Sequence, residues 1–128
     1  DLVGQDLAGA SLRGVDLSEA DLSQARLTGA DLSDAVLRSS QLEAADLSGA
    51  TLDRADLHGA LARGVDLRGA TLDGADLVDA DLSGADLRGA GLEGALLRDA
   101  WVHGARVCAS AAQLLVDVRG WPEVDDGC

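Results

Sequence analysis

Two histidines, two cysteines and a crowd of carboxylates are the side chains of this sequence whose chemistry could serve a reaction. His58 and His103 have no third Cys or His nearby to complete a zinc site, and neither do Cys108 and Cys128. The two cysteines are also too few, and too late in the chain, for a disulfide framework, so free thiols are expected. Asp125 and Asp126 form an acid pair in a polar tail, where nothing would bury them and raise a pKa for acid–base work. The chain has no Lys, and therefore no phosphate loop of the form G-x-x-x-x-G-K-[ST]. No catalytic, cofactor-binding or metal-binding residue is assigned, and no enzyme is expected.

The glycines that are not a nucleotide loop recur every five residues, and this period organises the whole chain. Every fifth position from Leu2 to Val107 gives twenty-two sites, of which nineteen are Leu and the others Ala62, Val102 and Val107. Three residues further on, seventeen of twenty-two sites are Ala, so a small column accompanies the leucine column. The residue before the Leu is Asp in eleven repeats. A helix would spread such a repeat around its surface, and a strand would put successive leucines on opposite faces. A chain that bends at every repeat can instead aim each Leu and Ala inward, with Gly supplying the permissive backbone at the bend. With Phe, Tyr and Met absent, the core must be aliphatic.

Repeats such as Ala20-Asp21-Leu22, Ala30-Asp31-Leu32, Ala75-Asp76-Leu77 and Ala85-Asp86-Leu87 resemble the A-(D/N)-L-X-X pattern of the pentapeptide-repeat family. The resemblance implies an all-β fold, a right-handed quadrilateral β-helix with four repeats per coil and about 5.5 coils over residues 1–109. Stacking at the strand spacing then gives a rod roughly 26 Å long. His58 and His103 would project from different faces. Ala62, with Leu61 in the usual Asp position, is the expected weak point and the place where the register could shift.

Residues 110–128 lack the repeat. Ser110-x-x-Gln113 has the form of a capping box, and Gly120 and Pro122 fit a stop, so a short helix is expected from about Ala111 to Val118. Leu114, Leu115, Val118 and Trp121 would give it an apolar side that covers the last coil and, with the remainder, joins two copies into a homodimer.

The net charge of −13 excludes direct binding of nucleic acid, which rests on Lys and Arg. No apolar run is long enough for a membrane span and no signal peptide is evident, so a cytoplasmic bacterial protein is expected. Two functions are carried forward. One is a protein-protein interaction or scaffold module using outward apolar residues, Leu61 and Trp101 on one face, Val36 and Leu96 on another. The alternative, implied by the family's quinolone-resistance members, is a DNA mimic that binds DNA gyrase through its most acidic face, which carries Asp76, Asp79 and Asp99. Eleven of the rod's acids belong to the repeat motif, however, where a short carboxylate can accept backbone N–H groups at the bend.

Overall fold

The repeats fold alike, and the computed structural model, which describes residues 1–128, shows how their backbone groups pair. In the repeat beginning at Thr51, the Leu52 amide donates to the Thr71 carbonyl at 2.7 Å and the Arg54 amide to that of Asp73 at 2.9 Å, both one coil ahead. The Thr51 amide donates one coil back, to Ala30, and the Ala55 amide closes a turn on the Leu52 carbonyl at 3.0 Å. The third residue of that turn has a positive φ in every repeat from Gly4 to Gly104, the mark of a type II turn. Parallel bridges join residues twenty apart, from Asp6 with Arg26 to Asp86 with Arg106. Four repeats therefore make one coil.

Both inward columns close on a single core of 32 buried side chains, in which Leu52 and Leu72 are fully buried. Leu2, Leu7, Leu12 and Leu17 of the first coil are only partly buried, since no coil packs on their outer side. The register runs through Ala62 without a shift: Leu61 bridges both Gln41 and Asp81, and the Ala62 amide reaches the Asp81 carbonyl at 2.8 Å. Val65, in the column of small residues, supplies bulk that Ala62 lacks, and both are buried.

The end of the rod differs from expectation. Strand β1 (Arg106–Cys108) leads directly into a four-residue helix α1 (Ala109–Ala112), and Cys108, not Ser110, precedes it, without a side-chain cap. The chain then extends, and β2 (Glu123–Asp125) pairs in parallel with β1. The amides of Asp99, Val102 and Gly104 donate to the carbonyls of Asp117, Arg119 and Trp121. A helix reaching Val118 would leave these donors of the last full coil without acceptors, at a cost each. The tail is thus a shortened extra coil, with Arg119 bridging Trp101 eighteen residues back rather than twenty. Leu115 and Val118 pack on the core end, whereas Leu114 and Trp121 point to solvent.

The cysteines are not free thiols. Cys108 and Cys128 form a disulfide with Cα atoms 5.4 Å apart. β2 ends with Asp125 opposite Cys108, and a turn over Asp126–Gly127 swings Cys128 back to it, with the Gly127 amide donating to Asp125 Oδ1 at 2.8 Å. Such bonds persist in oxidising compartments, which sits against the cytoplasmic expectation. No helix is long and apolar enough to cross a membrane.

Candidate functional site

The outward surface begins with one backbone amide per repeat, that of the residue after the Leu, which the ladder leaves over. In all eleven repeats that begin with Asp, this amide donates to the Asp Oδ1, from Val3 with Asp1 to Arg88 with Asp86. Where Thr71 and Gly91 replace the Asp, carboxylates from the coil before do the same work: Asp53 accepts from the Asp73 amide and Asp73 from that of Glu93. These bonds favour the ionised form. The Ser18 hydroxyl and amide hold Asp16 below the usual carboxylate range, and Ser48 does the same for Asp46. Burial pushes Asp81 up, but Ser83 and Arg63 together outweigh it and its pKa is lowered.

Three of the remaining acids, Asp34, Asp99 and Asp125, pair with arginines. Asp34 lies between Arg54 at 2.8 Å and Arg13 at 3.1 Å, and Asp99 accepts from Arg119 at 3.0 Å. Of the acids on the most acidic face, Asp79 lies 3.8 Å from His58 Nε2, Asp99 is held by Arg119, and Asp76 accepts the Val78 amide. The structure does place these three acids on one face, but as members of local pairs. No group of three or more His, Cys, Asp or Glu side chains converges on a point.

The apolar candidates divide unequally. Val36 and Leu96 share a ladder column but are separated by Asp56 and Asp76, and Val36 is half-buried. Leu96, 56% exposed, instead joins Val78, Leu97 and Val116 along a shallow groove of about 290 Å³ beside Arg98 and Asp117. Leu61 and Trp101 stand two coils apart in another column, with Asp81 between them, tucked down and hydrogen-bonded to Arg63. Trp101 is 48% exposed, yet its ring lies beneath the Arg119 guanidinium, 5.4 Å from centre to carbon, and Asp99 anchors that arginine. Sequence reasoning missed Arg119 and Asp99 as the supports of Trp101, because the tail's return path carries no repeat to show which residue lands over which.

A right-handed β-helix with these turns defines a class of repeat rods. The family model described as pentapeptide repeats matches eight copies over residues 1–34, 30–69, 40–77 and 63–99, and the chain belongs to that family. Among solved structures it is similar to the pentapeptide repeat protein Rfr23 from the cyanobacterium Cyanothece 51142. The identity is 34% and the TM-score 0.64, over 88% of this chain and 61% of that one. It is also similar to HetL, involved in heterocyst differentiation regulation in Nostoc sp. strain PCC 7120. There the identity is 32% and the TM-score 0.57, over 82% of this chain and 50% of that one. The chain thus spans less than two thirds of the first protein and half of the second. QnrB1, a plasmid-mediated fluoroquinolone resistance protein, aligns over 98% of this chain and 89% of its own at 18% identity with a TM-score of 0.50, a likeness of fold alone. No curated protein matches the chain.

Proposed function

We propose that this protein works without catalysis, as a rigid rod that binds a protein partner through the face carrying Leu61 and Trp101. The observation that carries the reading is Trp101, exposed yet fixed by strand bridges to Asp81 and Arg119 and by the Arg119 guanidinium over its ring. A large side chain already held in place loses little freedom on binding, and Trp is prominent among residues that dominate interface energies. Leu61, 42% exposed and two coils away at roughly 10 Å, offers a second apolar contact on the same flat face.

The net charge of −13 favours a second reading, a DNA mimic that binds gyrase through the face of Asp76, Asp79 and Asp99. Against it stands the origin of that charge: eleven of the acids belong to the repeat motif and serve its turns, so the acidity follows from the fold, and on the face itself Asp79 lies beside His58 and Asp99 is paired with Arg119.

One experiment separates the two. Bait protein is compared with Leu61→Ser plus Trp101→Ser and, separately, with Asp76, Asp79 and Asp99 changed to Asn. A partner retained by wild type and by the Asn variant, and lost from the Ser variant, is expected. Purified gyrase should supercoil normally with tens of micromolar rod present. Inhibition that weakens steeply with salt and disappears in the Asn variant would replace the interaction module with the mimic.

A further inference from the structure

The last nine residues are held to the rod by one covalent bond and by few side-chain contacts. Trp121 is 83% and Val124 49% exposed, and in β2 only Asp125 is half-buried, so the tail's end contributes almost nothing to the core. Arg119 is anchored on its own account, its amide on the Ala100 carbonyl at 2.7 Å and its guanidinium on Asp99 at 3.0 Å and over the Trp101 ring. Beyond it the non-covalent ties are the pairing of β2 with β1, the backbone bonds of Gly104 and Glu123, and two long ion pairs, Arg88 with Asp125 at 3.6 Å and Arg106 with Asp125 at 4.0 Å. Exposed pairs of this kind hold weakly.

The two sulfurs of the disulfide are not equivalent. Cys128 is exposed at the chain end, whereas Cys108 is 4% exposed and its Sγ accepts the Gly89 amide at 3.3 Å. An N–H donor stabilises a thiolate, and a stabilised thiolate leaves faster.

We infer that Cys108–Cys128 is a thiol–disulfide exchange site that works as a latch on the C-terminal coil. A dithiol reductant attacks through one thiolate at the Cys128 sulfur. The sulfur–sulfur bond breaks and Cys108 departs as the thiolate held by the Gly89 amide. The second thiol of the reductant then displaces Cys128, so two electrons and two protons pass to the cysteines and the reductant closes to its own disulfide. With both thiols free, residues 120–128 detach and the Gly104 amide loses its acceptor, while Arg119 stays on Asp99 and Trp101. The last full coil then presents an open strand edge, the kind of edge that recruits another strand.

Amide exchange followed by NMR on the full chain, with and without dithiothreitol, tests the latch. Reduction should speed exchange at Gly104 and Glu123 by about tenfold or more, and leave Val102 beside Arg119, and Leu52 and Thr71 in the rod's middle, unchanged. Cys128→Ser should show the reduced pattern without reductant and ignore dithiothreitol. Glutathione, a monothiol, should be found on Cys128 rather than Cys108 by mass spectrometry. Unchanged protection at Gly104 and Glu123 on reduction would show that pairing alone holds the tail, and loss of protection along the whole rod would make the bond a global staple. Either result, or an adduct on Cys108, overturns the inference.

Discussion

Ala62 and Val65 exchange the sizes that the repeat assigns to them, and the packing absorbs the exchange. Leu to Ala at the first site and Ala to Val at the second leave the coil short by about one methylene, so the column stays closed and both residues stay buried. The burden then falls on Val65. Val65→Ala should cost about 2 kcal/mol in denaturant unfolding, from lost burial and the cavity left beside Ala62. Val15→Ala, at a 36% exposed site in the same column, should cost far less. Equal losses would mean that Val65 fills nothing. The bend residues offer the opposite case. Ala44 is exposed with φ of 55°, a conformation that crowds its Cβ against the backbone. Ala44→Gly should therefore raise stability by about 0.5–1 kcal/mol, less whatever the freer unfolded chain takes back, and a melt no higher than wild type would show that the fold tolerates the strain freely.

At the scale of the turn, the carboxylates act on the backbone before they act on any partner. Asp6, Asp16, Asp21, Asp31, Asp46, Asp66 and Asp86 all have lowered pKa values, through Ala8 at the first, serines at the next four and Arg68 and Arg88 at the last two. A folded pKa below the unfolded value of about 3.9 means that the unfolded chain binds more protons at acidic pH. The stability these groups contribute is present above that value and is lost as pH falls through the folded values. Self-repulsion in a chain of net charge −13 predicts the reverse, since protonation would relieve it. Thermal melts between about pH 5 and pH 3 decide between them: the turn bonds require a falling Tm, and a rising one would show that repulsion dominates. This role of the Asp column was legible in the sequence, because a short acid two residues before a free amide has one obvious partner. The stand-in role of Asp53 and Asp73 was not, since it needs the knowledge that residues twenty apart are neighbours.

For the whole molecule, the rod could be read from spacing and its end could not. Leucine at every fifth site is a side-chain pattern, and side chains are what a sequence displays. The tail closes the rod with carbonyls, which every residue carries, so neither the path of Asp117, Arg119 and Trp121 nor the return of Cys128 left a periodic mark. The same path separates the four apolar residues that the sequence places on one helix face. Leu115 and Val118 serve the cap, while Leu114 at 38% and Trp121 at 83% exposure remain free to serve a second copy. A two-fold contact at this end would bury both at once, each protomer offering the same patch. Leu114→Ser with Trp121→Ser leaves the cap residues in place, so it should turn a dimer into a folded monomer by light scattering, with the rod's melting temperature little changed. A wild-type chain already monomeric at high concentration would rule out the dimer. A dimer that survives both substitutions would move its interface away from the C-terminal coil, toward the half-buried leucines of the first.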